Sequence, residues 1–142
     1  MSGQQDRKTL HVAAAIIVRE GQALAARRSD DIFSWEFPGG KVEPGETSEA
    51  ACRREILEEL GCELKTMWQV DTLEYDYPDF HLSMDCFVAT IDPDAEPKPL
   101  VHKELRWIGQ EGLATLPWLA ADRKLAQELG PSWDLIAGGE QI

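Results

Sequence analysis

The amino-acid sequence predicts an α/β domain, and three observations carry that prediction. Thr9 to Val18 is a continuously apolar run that suits a strand buried on both faces. Two longer runs flank Pro78-Asp79, a turn pair, and suit an antiparallel hairpin. Thr47 to Gly61 carries the boundary residues and patterning of a helix. At 142 residues, one domain spanning residues 1–142 is expected. A chain of that size buries roughly two-thirds of the surface its unfolded form exposes, enough for a core without disulfides or structural metal.

The elements follow in order. After the first strand, Glu20-Gly21 is read as a turn, with Ala23 to Arg27 returning as a second strand. Arg28 to Trp35 is a polar loop, and the Pro and Gly of Phe37-Pro38-Gly39-Gly40 argue against regular structure there. In the helix, Thr47 is the N-cap, Glu46 and Glu49 sit near the positive end, and Gly61 closes it. Ala50, Ile56, Leu57 and Leu60 are expected to form its core-facing stripe. The hairpin arms are Met67 to Tyr77 and Phe80 to Ile91; in the second, Leu82, Met84, Cys86 and Val88 alternate with His81, Ser83, Asp85 and Phe87. Asp92 to Pro99 is a loop, Leu105 to Ile108 a last short strand, and Leu119 to Leu129 a second helix ended by Gly130-Pro131. The tail after Trp133 carries no signal.

Charge and cysteine usage exclude several functions. With 26 Asp and Glu against 14 Lys and Arg, a net charge of -12, the chain repels a nucleic-acid backbone at long range. A small anionic ligand remains compatible, because a bound divalent cation inverts the local sign. Cys52, Cys62 and Cys86 form no CxxC pair and have no histidine at zinc-finger spacing, a pattern that fits a reducing, cytoplasmic setting. Met1 to Lys8 has no apolar signal core, and no apolar run approaches spanning length, so no membrane association is expected. Nothing in the residues chooses between a monomer and a homodimer.

The chemistry concentrates between Gly39 and Cys62, in GGKVEPGETSEAACRREILEELGC. At 100° per residue, Glu55, Glu58 and Glu59 point at roughly 0°, 300° and 40°, so three carboxylates share one face. Such crowding mildly destabilises an isolated helix, whereas a hard cation such as Mg2+ or Mn2+ wants several oxygens. Solvated glutamates on a surface helix are the bland alternative. The framework around them decides against it. Gly40, Glu46, Arg54-Glu55, Glu58-Glu59, Gly61 and flanking apolar residues satisfy all nine specified positions of the Nudix box. Cys62, where a larger aliphatic residue is usual, still packs as a small hydrophobe.

The chain thus resembles the Nudix hydrolase family. Trp35 to Lys41, and Leu73 to Asp79 followed by His81, are similar to its MutT-type subgroup. With the opening strand and Arg27-Arg28, the similarity covers roughly residues 9 to 129. The resemblance implies an α/β/α sandwich with a central mixed β-sheet and the box as loop-helix-loop. It also implies hydrolysis of a diphosphate linkage in a small nucleotide, with Mg2+ (or Mn2+) as cofactor. In MutT-type members a nucleoside triphosphate gives the monophosphate and pyrophosphate.

By the same resemblance, Glu55, Glu58 and Glu59 ligate metal together with the Gly39 carbonyl, and Glu55 is also the candidate general base. Glu46 and Arg54 brace the loop against the helix. Arg28 and Lys41 are candidates to meet the phosphates, Arg28 being otherwise an ordinary solvated arginine, and Phe37 lines the base pocket. MutT-type members carry a further glutamate ligand six residues before a tryptophan; counting back from Trp107 lands on Val101. Glu104 is the candidate substitute, with His102 second, and a solvated loop glutamate is the plain alternative. Asp122 resembles the base-reading aspartate of (d)CTP pyrophosphatase members, although some oxidised-purine enzymes also use aspartate; a helix cap is the alternative. Trp118 either walls the pocket or belongs to the core. The expected substrates are 8-oxo-dGTP or a (d)CTP-type nucleotide; the alternatives are another nucleoside diphosphate-linked compound and a catalytically impaired Nudix-fold nucleotide-binding module.

Overall fold

The structure is a computed structural model and describes residues 8–137. The tip of the N-terminal segment, 1–7, and residues 138–142 lie outside the described residues, so the expectation for a signal-free N-terminus is not addressed. Seven strands are described: β1 (Lys8–Arg19), β2 (Gln22–Arg27), β3 (Trp35–Glu36), β4 (Gly39–Lys41), β5 (Leu64–Asp76), β6 (Phe80–Ile91) and β7 (Glu104–Ile108). The helices are α1 (Ser48–Leu60), α2 (Gln110–Thr115), α3 (Ala120–Leu129) and α4 (Trp133–Ile136).

β1 organises the sheet. One edge runs parallel to β6 from Lys8↔Phe80 to Ile17↔Ala89. Its other edge is shared, first by β4 at Val12 to Ala14 and then by β2 at Val18 and Arg19, both antiparallel. Glu20 and Gly21 both adopt positive φ, the signature of the two-residue turn that matches strand twist. β2 pairs with β3 and β7, and β5 with β6, so the sheet is mixed.

Alternation along β1 feeds two cores, as the pleat requires. Ala13, Ala15 and Ile17 face Cys52, Ile56 and Leu60 of α1. Ala14, Ile16 and Val18 face the other layer, where Leu113, Leu125, Leu129 and Trp133 pack. The result is the α/β/α sandwich with a mixed central sheet. As expected, Thr47 caps α1, its hydroxyl accepting from the Ala50 N–H at 3.1 Å, and Gly61 closes it at φ 70°. The Pro78-Asp79 turn is also present, the Tyr77 N–H donating to the Phe80 carbonyl at 2.9 Å.

Two expectations are corrected. Gly39–Lys41 is a strand, not irregular chain: Gly39 lies so close to β1 that a Cβ would fall 2.0 Å from the Ala13 carbonyl oxygen. The glycine serves strand approach rather than a turn, and the Pro38 carbonyl still accepts from the Ala15 N–H. The buried stripe of α1 is Ala51, Cys52, Ile56 and Leu60, while Ala50 and Leu57 are exposed. The burial arc is centred near Cys52 and Ile56, and Ala50 and Leu57 fall about 120° away from it. As expected, α3 ends at Leu129 with Gly130 as its C-cap, but the chain beyond it is not signal-free. Proline fits the first turn of a helix, so a 3₁₀ turn (Gly130–Ser132) leads into α4 and buries Trp133. α2 went unread because it is six residues long, has no side-chain cap and contains Gly112.

Candidate active site

The loop before α1 is tied to the helix by one guanidinium. Arg54 Nε and Nη2 bind the two oxygens of Glu46 at 2.7 and 3.0 Å, and Nη2 also donates to the Lys41 carbonyl at 3.0 Å. Glu46 in turn accepts the Glu43 N–H at 2.9 Å. These charge-assisted bonds hold the Glu46 carboxyl well below the usual carboxylate range, at about 2. Arg54 Nη1 reaches Glu55 at 2.9 Å and Glu58 at 3.5 Å. Arg54 therefore braces the loop and partly neutralises the crowded helix face.

The three glutamates differ in setting. Glu58 is exposed, Glu55 is largely covered, and Glu59 points toward the sheet. Burial, then the neighbouring Glu55 and Glu36, push the Glu59 carboxyl up to about 8. Its Oε1 is buried and has no hydrogen-bond partner. An unsatisfied buried carboxylate oxygen among like charges is costly unless something positive completes it. That orphan oxygen is the observation by which these residues fit a divalent cation. Among the described residues, no three His, Cys, Asp or Glu side chains already converge as a closed cage.

Glu59 lines a cavity of about 590 Å³, open to solvent, whose walls also carry Arg28, Phe37, Gly39, Lys41 and Asp122. Gly40 belongs to the same wall, and Glu55 packs directly on it: a Cβ there would fall 2.3 Å from Glu55 Cδ. In the same cavity Asp122 is buried and its Oδ1 accepts the Phe37 N–H at 2.9 Å. Burial pushes its carboxyl up to about 7. The cavity thus brings an acidic helix residue, basic residues, a buried aspartate and apolar walls together, a lining suited to phosphates and to a flat ring.

The family model for the NUDIX domain matches residues 9–129. This chain belongs to the Nudix hydrolase family. Over 128 residues, 87% of this chain and 93% of the relative, it is 34% identical to an 8-oxo-dGTP diphosphatase of Haemophilus influenzae. Over a shorter stretch of 59 residues, 39% of this chain and 44% of the relative, it is 52% identical to a CTP pyrophosphohydrolase of Escherichia coli. A MutT Nudix hydrolase from Burkholderia pseudomallei superposes with a TM-score of 0.76 at 26% identity, covering 87% of this chain and 99% of that one. The protein is a Nudix pyrophosphohydrolase of the MutT-like group. No helix among the described residues is long and apolar enough to cross a membrane.

Five expected residues of this Nudix hydrolase do not line the cavity: Arg54, Glu55 and Glu58 on the helix face beside it, and Trp118 and Glu104. Trp118 is buried behind Phe37, stacked on it at 4.6 Å, with its indole N–H given to the Leu113 carbonyl. It supports the pocket wall rather than forming it. Glu104 is engaged by Arg27 and Arg106, each at 3.1 Å, and lines neither this cavity nor the smaller one beside it. Arg28 lines both, gripping Asp30 and Glu36.

Glu36, not among the expected site residues, and His102, the second choice behind Glu104, meet beside Glu59. The smaller cavity, about 240 Å³, is bounded by Glu36, Glu59, Val101 and His102. Glu36 links Arg28 Nη1 to His102 Nε2, both at 2.9 Å, and its charge adds to that around Glu59. His102 Nδ1 is buried and has no hydrogen-bond partner. The usable signal was alternation: Trp35 buried toward the core puts Glu36 on the opposite side of a two-residue strand.

Proposed function

We propose that this Nudix hydrolase cleaves a nucleoside triphosphate to the monophosphate and pyrophosphate, on an oxidised purine (8-oxo-dGTP) or a cytidine-type (d)CTP nucleotide. The observation that carries this reading is that Glu59 and a buried carboxyl, Asp122, line one cavity with Arg28, Phe37 and Lys41. Glu55, Glu58, Glu59 and the Gly39 carbonyl would hold Mg2+ or Mn2+. When bound, the cation neutralises phosphate charge and lowers the pKa of a nucleophilic water. Arg28 and Lys41 meet phosphate oxygens, and Arg54 keeps Glu55 oriented. Glu55 is the proposed base that takes the proton from the attacking water. Phe37, backed by Trp118, gives the base a flat apolar face.

Asp122 explains why two chemically different bases are candidates. A carboxylate offers only acceptors, whereas the protonated form offers one donor and one acceptor. The protonated form matches cytosine N3 and its exocyclic amino group; the ionised form matches the adjacent donors of guanine-type rings. Pyrophosphate release from 8-oxo-dGTP, dGTP, dCTP, CTP and 5-methyl-dCTP, measured at pH 6 and pH 8, separates them. We expect one class to exceed the unmodified competitor by tenfold or more. Release from none of the five rejects the proposed reaction.

The same carboxyl makes a stability prediction. Asp122 titrates near 7 in the folded protein against about 3.9 unfolded, so the native state holds its proton more tightly. That contribution is fully present below about pH 4 and is lost as pH rises toward 7. Asp122→Asn keeps an acceptor for the Phe37 N–H but removes the buried charge. Its stability relative to wild type is expected to improve by about 2–4 kcal/mol between pH 4 and pH 8. Parallel unfolding curves with a pH-independent difference would show that the aspartate is not buried as described.

A further inference from the structure

Asp122 is the third residue of α3, so its carboxyl moves with that helix's first turn. Two contacts hold the turn from different parts of the chain. On one side the Phe37 N–H is given to Asp122 Oδ1. On the other, Ala121 donates its backbone N–H to the phenol oxygen of Tyr77 at 3.0 Å. The first N–H groups of a helix have no partner within it. Here the N-cap residue is Leu119, which has no capping side chain. Tyr77, 44 residues earlier in the chain, supplies the acceptor that a serine or aspartate cap would otherwise provide.

The phenol is itself well located. Tyr77 stands at the root of the two-residue turn between β5 and β6, bonded through its backbone to Phe80. Its ring stacks on Phe80 at 4.9 Å and leans on Tyr75 at 4.8 Å. Tyr77, Phe80 and Asp122 all line the large cavity. The hairpin tip is therefore a cavity wall that also holds the helix carrying the buried carboxyl.

We infer that Tyr77 is a positioning residue for base selection: its hydroxyl holds the first turn of α3 where Asp122 meets the edge of the base. The inference rests on the base-reading role proposed for Asp122. The aromatic ring alone would serve as a wall; the hydroxyl is what joins the wall to the helix. Removing it leaves the ring stack and the proposed phosphate contacts untouched.

The test is a double-mutant cycle on the two residues, with kcat and KM measured separately for the preferred nucleotide and an unfavoured one. Tyr77→Phe is expected to raise KM for the preferred nucleotide about three- to tenfold, the scale of one net hydrogen bond, and to move kcat much less. The unfavoured nucleotide should keep its KM, and in an Asp122→Asn background Tyr77→Phe should add less than twofold. Equal losses on both nucleotides, a loss confined to kcat, or full additivity with Asp122→Asn would each overturn the assignment. If Asp122→Asn flattens base preference while Tyr77→Phe changes nothing, the Tyr77 inference alone falls. If Asp122→Asn leaves base preference intact, the base-reading role falls and takes this one with it.

Discussion

Glu59→Gln is expected to abolish metal-dependent turnover and, at the same time, to raise the melting temperature of the metal-free protein at alkaline pH. The two effects share one cause. Glu59 is held among Glu55 and Glu36 with a buried, unpartnered oxygen, so its ionised form is costly until a cation arrives. Glutamine keeps the shape and removes the charge. Turnover should fall by about a hundredfold or more, the scale seen when a group stabilising transition-state charge is removed. Glu58→Gln is the control, since that side chain is 60% exposed and pairs with Arg54 only at 3.5 Å. It should also cost most of the activity but change stability by less than about 0.5 kcal/mol. Added Mg2+ should raise the melting temperature of wild type and not of Glu59→Gln. A Glu59→Gln protein that melts lower than wild type, or still turns over fully, would remove Glu59 from the centre of the site.

Gly39→Ala should be the most damaging single substitution to the fold. A Cβ there would sit 2.0 Å from the Ala13 carbonyl oxygen and 2.8 Å from Ala14 Cα, both backbone atoms of the central strand. Neither can yield, because β1 is paired on both edges. A loss of at least about 3–4 kcal/mol is expected, at the exceptional end for point changes. Gly40→Ala makes the informative contrast. Its Cβ meets only the Glu55 side chain, which can swing aside. That protein should fold and lose activity through a displaced Glu55. Unfolding midpoints and turnover, measured together, distinguish the two, and a stable Gly39→Ala protein would mean β4 does not pack on β1 as described.

Much of this was legible because the signals are local. Thr47 and Gly61 mark their helix by backbone chemistry that acts within one turn, and Pro78-Asp79 does the same for the hairpin. The box places three carboxylates on one helix face by spacing alone. What escaped depended on distant chain. Gly39 reads as a loop breaker until β1 lies beside it, and Leu57 reads as core until the helix is seen turned with Cys52 and Ile56 inward. Glu104 stands opposite Arg27 across the β2–β7 pairing, a neighbour that spacing along the chain does not reveal. Glu36 and His102, 66 positions apart, become neighbours only through the sheet.

The parallel pairing of β1 with β6 also has a temporal side. Helix α1 is capped by residues at its own ends, so it can begin to form as soon as its sequence exists. The sheet it must rest on joins Lys8 to Phe80 and Ile17 to Ala89, partners roughly 70 residues apart, and closing such a span is entropically slow. During synthesis Cys52, Ile56 and Leu60 can meet Ala13, Ala15 and Ile17 of β1 early, but Phe87, Ala89 and Ile91 join that core only after β6 has emerged. The cleft is finished last at one wall: Asp122 comes from α3, whose residues follow β6 in the chain, so the pairing of the first strand with the sixth precedes it.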